Sequence, residues 1–187
     1  GLISLLPYID QAPMYSQIEA GDPSTTPPIT PGGPCGWCSW SAWNYEVPML
    51  QCPSDSMSMN VAKVRTNNYV FCIGDQIDNP RDRTQVRGMF GYRDCVSMRD
   101  ITDGTSNTIA MSERRKASFA PGDHNAPRIN EGVQLGVTNV RTNPIECLSY
   151  IGNNGYYADP TTVKGASGVR WQDGQTTWVG FTTVIGP

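Results

Sequence analysis

The sequence predicts an α+β fold with little helix, several short strands and long loops. It has 19 glycines and 15 prolines in 187 residues, so much of the chain is expected to form turns. Residues 67–75 have a centre rich in β-branched and aromatic side chains and predict a strand, and residues 108–113 predict a second strand. No internal repeat is present, and no regular alternation of strand and helix indicates a parallel α/β fold.

The remaining elements are predicted from local patterns. Prolines at positions 7 and 13 divide the apolar N-terminal segment and keep its helix short. Near the C-terminus, Asp173-Gly174 stands inside an alternating segment, which is typical of a hairpin turn. In chain order, we predict an extended start over 2–9, a helix over 9–18, a strand or turn over 86–92, a helical turn over 98–102, a helix leading into an Asn-Gly turn over 145–157, and a β-hairpin over 171–185.

Composition and charge exclude some functions and favour a single domain over residues 1–187. Charged residues make up 17% of the chain and the net charge is −3, which argues against nucleic-acid binding and against attraction to anionic membranes. Hydrophobic residues make up 38% and the mean hydropathy is −0.40, so the core is expected to be lean. No apolar run approaches the roughly 20 residues of a membrane-spanning helix.

Six cysteines are present, and an even number in a chain rich in glycine and proline favours an oxidising compartment. We expect at least two disulfides, whose pairing the sequence does not select. Cys35 and Cys38 have the spacing of a redox motif but come after a proline-rich loop, so a structural disulfide, within this pair or to other cysteines, is favoured. Zinc is disfavoured because there is no second such pair and His124 is the single histidine. The disulfide candidates are Cys35, Cys38, Cys52, Cys72, Cys95 and Cys147.

A tryptophan run comes after the first cysteine pair within a Pro/Gly- and Trp-rich insertion at residues 21–51. Trp37, Trp40 and Trp43 are three residues apart, with Tyr45 close behind. Exposed aromatic rings stack on sugar faces, so these four residues are a candidate carbohydrate- or solute-binding platform. The favoured alternative is that they fill the lean core or a subunit interface.

Catalytic constellations are weak, and the sequence predicts a protein that is not an enzyme. There is no G-x-S-x-G nucleophile motif and no phosphate-binding glycine loop. His124 has an adjacent acid, Asp123, but no evident nucleophile. A cleft with two carboxylates at catalytic separation, or His124 beside a nucleophile, would indicate an enzyme instead.

The segment RDITDGTSNTIAMSE, residues 99–113, offers hard oxygen ligands at Asp100, Asp103 and Asn107. Calcium binds such oxygens in flexible loops, although the spacing differs from that of an EF-hand. The favoured interpretation is a structural turn at Asp103-Gly104 that precedes the strand over 108–113. No other cofactor is indicated.

Several motifs, taken in order, resemble a known family. They are SLLPYIDQAPMYSQI, CPSD, NNYVFCIGD, RGMFG, DITDGTSNTIAMSE and WQDGQTTWVGFTTVIGP, and they extend over essentially the whole chain. This ordered set resembles the prepilin-like family abundant in planctomycete-type bacteria, whose main domain has no assigned function and is sometimes labelled a bacterial solute-binding domain. The Cys35–Cys38 motif and the tryptophan run are not among these motifs.

The resemblance implies a pilin-like antiparallel sheet with long disulfide-stapled loops. It also implies an N-terminal pilin helix, which is absent from this chain, so the chain is expected to be part of a longer protein. Contact with the membrane is expected only through that helix. The cysteine of CPSD, Cys52, would pair with a cysteine in that helix region.

The resemblance implies a structural subunit similar to a type IV pilin or a type II secretion pseudopilin. Such a subunit is expected to be extracellular, at the cell surface or periplasmic, and to assemble with like subunits into a filament or surface assembly. An apolar strip at Leu5, Leu6 and Ile9 is expected to be uncovered or covered by a partner. The alternative function is a carbohydrate- or solute-binding module that uses the tryptophan cluster, with glycans as partners.

Overall fold

The computed structural model describes residues 1–55, 65–75, 87–91, 94–117, 128–140, 142–165 and 167–183. It confirms a mixed α+β fold with short elements. Among these residues, no helix has the length and apolar character needed to cross a membrane. The helices are α1 (Leu2–Leu5), α2 (Ala12–Ala20) and α3 (Thr176–Val179), and the strands are β1 (Tyr69–Cys72), β2 (Phe90–Gly91), β3 (Asp94–Cys95), β4 (Met111–Glu113), β5 (Val133–Gln134), β6 (Val163–Lys164) and β7 (Gly180–Phe181).

The central sheet has the strand order β4-β1-β7 and is mixed rather than antiparallel. Strand β1 pairs antiparallel with β4, with Phe71 opposite Met111, and parallel with β7, with Phe71 opposite Gly180. The two other described sheets, β2-β3 and β5-β6, are two-stranded and antiparallel. The strands predicted over 67–75 and 108–113 are therefore confirmed, while the all-antiparallel sheet is wrong.

The predicted hairpin over 171–185 is also wrong, and this explains the parallel pairing. The Asp173 carboxylate accepts a hydrogen bond from the Gln175 backbone N–H at 3.1 Å, so the Asp-Gly turn leads into helix α3 and not into a strand. Helix α3 then ends at Gly180, where β7 begins beside β1. An Asp-Gly pair indicates a turn, but it does not determine whether a strand or a helix comes next.

The N-terminal segment is helical, contrary to the predicted extended start. Helix α1 continues into a 3₁₀ helix over Leu6–Tyr8, where a proline is tolerated in the first turn. Leu2 and Leu6 lie four residues apart on one face and are buried in the core. The helix predicted over 9–18 is confirmed as α2 (Ala12–Ala20), which has its proline in the first turn and is capped by Gly21.

Tryptophan side chains contribute much of the hydrophobic core. Trp43 makes edge-to-face contacts with Trp40 at 4.9 Å and with Trp171 at 6.0 Å between ring centroids. Phe71 of the central strand and Leu6 of the N-terminal segment belong to the same core. A few large rings thus provide the buried area that a chain with little regular structure needs.

The prediction of several disulfides is wrong for the cysteines whose side chains are described. Cys35 and Cys38 form one disulfide, whereas Cys52, Cys72 and Cys147 are free thiols. Cys72 is buried in β1, Cys147 is exposed on a 3₁₀ helix, and the Cys52 sulfur lies 3.0 Å from the Ser54 hydroxyl. The Cys95 side chain lies outside the described residues.

We predict that Trp43→Ala lowers the free energy of unfolding by about 3–5 kcal/mol, because it opens a cavity at the centre of the core. Trp37→Ala, which removes an exposed ring of the same run, is the matched control and should change it by about 0.5 kcal/mol or less. Urea denaturation followed by far-UV circular dichroism measures both values. Equal losses in the two variants would contradict the assignment of Trp43 to the core.

Candidate functional site

The tryptophan platform predicted from the sequence is not formed. Trp40 and Trp43 are buried core residues, as the alternative interpretation expected. Trp37 is 55% exposed, and Tyr45 is also exposed. Of the three tryptophans, Trp37 is therefore the one whose ring is available to a ligand.

Trp37 instead lines a cleft of about 520 Å³ together with residues distant in the sequence. This volume falls within the roughly 300–1,000 Å³ typical of small-molecule sites. The cleft lies where three elements meet, namely the loop of Trp37, the β5-β6 ladder and helix α3. Its described lining residues are Trp37, Val133, Leu135, Lys164, Arg170, Gln175 and Trp178.

The Cys35–Cys38 disulfide positions Trp37. It closes a four-residue turn that also contains a backbone hydrogen bond from Cys38 to Cys35 at 2.8 Å. The turn is attached to the segment before α3, because the Gln172 amide donates to the Gly36 carbonyl at 2.9 Å. Gly36 approaches Asp173 so closely that an added Cβ would lie 2.7 Å from the Asp173 Cβ. The motif is thus a structural turn and does not start a helix, which a thioredoxin-like redox site requires.

Two cations are held against the buried ring of Trp178. The Arg170 guanidinium carbon lies 4.5 Å from the ring centroid, and the Lys164 ammonium lies 5.5 Å from it. Arg170 is also 3.9 Å from the Asp173 carboxylate. Burial, and secondarily the positive charge of Arg170, lower the pKa of nearby Arg65. The cleft is therefore a positive site in a chain whose net charge is −3.

Sequence reasoning missed Lys164, Arg170 and Trp178 as site residues. Each stands more than a hundred positions after Trp37, and no motif connects them. The helix that brings Trp178 to the cleft was predicted as part of a hairpin. The available signal was the exposed aromatic alone, which the sequence could not distinguish from its buried neighbours.

The segment 99–113 forms the structural turn that the sequence favoured. The Thr108 hydroxyl donates to the Asp103 carboxylate at 3.0 Å, and the Asn107 amide donates to the Asp103 carbonyl at 2.8 Å. Gly104 has a φ of +87°. The Asp100 carboxylate accepts from the Ser97 backbone N–H at 3.1 Å, so it caps a different turn.

The calcium hypothesis for Asp100, Asp103 and Asn107 remains a prediction. In the part of the chain that the structure describes, no group of three or more His, Cys, Asp and Glu side chains is placed to hold a metal ion. His124, the residue on which a catalytic alternative depended, lies outside the described residues.

The apolar strip expected at Leu5, Leu6 and Ile9 is not an open surface. Leu6 is fully buried, and Leu5 and Ile9 are partly buried against the core. The strip is covered from within the chain because residues 2–8 fold back as helical turns onto the core, in contact with α2. The prediction that it is uncovered is therefore wrong.

A different apolar surface is exposed. Residues Pro144–Tyr150 form a 3₁₀ helix, in which side chains three positions apart lie above one another. Ile145 and Leu148 have this spacing, and Ile151 continues it just after the helix. Their exposed fractions are 62%, 48% and 43%. We call these three side chains the aliphatic ridge.

The Asn68 side chain connects the motifs on which the family resemblance rests. Its amide donates to the Asp55 carboxylate at 2.6 Å and to the Arg114 carbonyl at 2.9 Å, and its oxygen accepts from the Cys52 backbone N–H at 2.8 Å. Asp55 also accepts from the Lys116 backbone N–H at 2.9 Å. Cys52, Asp55, Asn68 and Arg114 border a second cleft of about 330 Å³, where burial lowers the pKa of Arg114 to about 10.

These features define a class of protein. It is a small mixed α+β domain with short sheets, a hydrophobic core rich in tryptophan and, among the described residues, one disulfide. Among known families, residues 2–183 match the model of a protein of unknown function, DUF1559. The chain therefore belongs to the DUF1559 family. No similar curated protein and no similar solved structure was found.

We predict that Gly104→Ala destabilises the fold by about 1 kcal/mol or more, because a side chain at positive φ is strained. Among the described residues other than its chain neighbours, only the Asn107 amide lies within 4 Å of the added Cβ, so the cost comes from the backbone. Gly174→Ala is the control, because Gly174 is not at positive φ and a Cβ there would meet no other described residue within 4 Å. Thermal denaturation should show a lower Tm for the first variant only, and equal Tm values would contradict the turn assignment.

We predict that Asn68→Ala lowers the free energy of unfolding by about 3 kcal/mol, because it leaves several buried polar groups without their partner. Asn143→Ala removes an exposed side chain with one long hydrogen bond of 3.4 Å to Glu146 and should have an effect of about 0.5 kcal/mol or less. Urea titrations of both variants make the comparison. If the free energy of unfolding changed as little in the Asn68 variant as in the Asn143 variant, the hydrogen bonds of Asn68 would not stabilise the fold.

Proposed function

We propose that this chain is a non-enzymatic pilin- or pseudopilin-like structural subunit that assembles with like subunits into a filament or surface assembly. The ordered motifs that resemble prepilin-like proteins support this function. The single observation on which the proposal depends is the aliphatic ridge, Ile145, Leu148 and Ile151, which a folded chain exposes to solvent. Contiguous exposed apolar surface is typical of an interface.

The ridge has the composition of an interface core. Glu146 is the one charged residue in the 3₁₀ helix Pro144–Tyr150. Depletion of charge around aliphatic side chains distinguishes the buried centre of interfaces from ordinary surface. Burying such a side chain contributes about 1.5–3 kcal/mol, so contact with a second copy stabilises the pair.

A second copy of the chain is the occupant that best fits this surface. A twofold contact places the ridge of one copy against the ridge of the other, whereas a head-to-tail contact extends into a filament. Cys147, an exposed free thiol between two ridge residues, is an internal reporter of this contact. In either arrangement its accessibility to reagents falls on assembly.

The proposed location is extracellular, at the cell surface or periplasmic. The Cys35–Cys38 disulfide indicates an oxidising compartment, because cytosolic thiols are kept reduced. Attachment to the membrane belongs, in this proposal, to the N-terminal helix implied by the resemblance and not to the domain itself.

We predict that Leu148→Glu weakens self-association by about thirty-fold, because charging a central interface residue costs about 2 kcal/mol or more. Sedimentation velocity over a concentration series measures the association constant, and the rate of Cys147 alkylation provides a second readout. Leu148 is exposed, so the variant is expected to keep its thermal stability.

The control is Met98→Glu, which adds the same charge to an exposed apolar residue of another 3₁₀ helix. It should leave self-association unchanged. A wild-type chain that stays monomeric at every concentration, or equal effects of the two substitutions, would overturn the proposed interface.

A further inference from the structure

The cleft beside Trp37 has a composition that assembly through the ridge does not explain. Among its described lining residues are two cations and no acid. Trp37 presents an exposed aromatic ring at the edge of the cleft. A turn that is closed by the disulfide and attached by Gln172 holds this ring in place. A rigid exposed aromatic ring beside fixed positive charges is the arrangement of a binding site.

We propose that this cleft binds a carboxylated sugar, that is, a pyranose ring carrying an acid group. Trp37 stacks on the apolar face of the ring, and Lys164 and Arg170 bind the carboxylate. This function goes beyond assembly and depends on different residues from the aliphatic ridge.

The sugar ring is indicated by Trp37 together with its apolar neighbours. Its exposed indole face offers the flat, polarisable surface that stacks on the C–H groups of a pyranose. Val133 and Leu135 extend the apolar lining, and the Gln175 amide adds a group that hydrogen-bonds hydroxyls. A simple inorganic anion would leave this aromatic and apolar part of the cleft unused.

The acid group is indicated by Lys164 and Arg170. Both lie over the Trp178 ring, at 5.5 and 4.5 Å, so cation–π attraction keeps their charged ends at the cleft. Lys164 belongs to strand β6, where it pairs with Val133 of β5, so its backbone is also fixed. Arg170 forms an ion pair with Asp173 at 3.9 Å through one guanidinium nitrogen, and a guanidinium has five N–H donors, so others remain for a ligand. A neutral sugar would offer no negative charge to either of these cations.

The Cys35–Cys38 disulfide becomes a determinant of affinity in this proposal. It restricts the turn that presents Trp37, so the ring loses little conformational entropy on binding. The double variant Cys35→Ser with Cys38→Ser is therefore expected to bind more weakly, while the cations beside Trp178 remain in place.

Binding is tested by isothermal titration calorimetry of the purified chain with three probes. Trigalacturonate carries both features, a neutral galactose trisaccharide carries the ring alone, and acetate carries the carboxylate alone. Trigalacturonate is expected to bind at least about ten-fold more tightly than the other two, since the neutral sugar lacks the charge-assisted hydrogen bonds and acetate lacks the ring that stacks on Trp37.

Lys164→Gln and Trp37→Ala are each expected to weaken trigalacturonate binding by roughly ten-fold or more. Arg99→Gln, which removes one positive charge from an exposed residue outside the cleft, is the matched control and should leave the Kd unchanged. Circular dichroism of each variant establishes that it is folded.

Three results would overturn the proposal: no measurable binding of trigalacturonate at millimolar concentration, equal affinity for the acidic and neutral trisaccharides, or equal effects of Lys164→Gln and Arg99→Gln. None of these results bears on self-association through the ridge, because Leu148 is not among the residues that line the cleft. The two proposals therefore fail independently.

Discussion

The buried side chain of Asn68 is the interaction on which the central sheet depends. It joins the turn at Cys52 to the chain after β4, while its own backbone accepts from the Arg114 N–H at 2.7 Å. Three segments with little regular structure are thus held by one amide that uses both donors and its acceptor. A buried hydrogen-bond network is stabilising only when each of its polar groups has a partner, so the loss of one of its residues weakens the whole network.

The hydrophobic core also depends on a small number of residues. Short strands and helices bury little area, and Trp43 of the insertion compensates by packing against Trp171 from the other end of the chain. The segment that supplies Trp171 continues into helix α3, which supplies Trp178 to the cleft and leads to β7 beside β1. Core, sheet and cleft therefore share one short segment, and a disturbance there affects all three.

The two proposed surfaces have opposite physical character. The aliphatic ridge is low in charge and suits contact with a like surface, whereas the cleft concentrates positive charge around a fixed aromatic ring. A structural subunit that also binds an acidic sugar would connect an assembly to a carbohydrate surface. The disulfide would link the proposed binding to an oxidising compartment, because it closes the turn that presents Trp37.

By itself, the sequence determined the local chemistry. It predicted a strand over 67–75, which forms as Tyr69–Cys72, the helix with Pro13 in its first turn and the turn at Gly104. Hydrophobic period, proline and glycine act over only a few residues. Only the tertiary structure decided which tryptophan is exposed, whether the N-terminal leucines are covered, and that Lys164 and Arg170 meet at Trp178. Those outcomes depend on how separate segments of the chain pack against one another, and no local pattern encodes them.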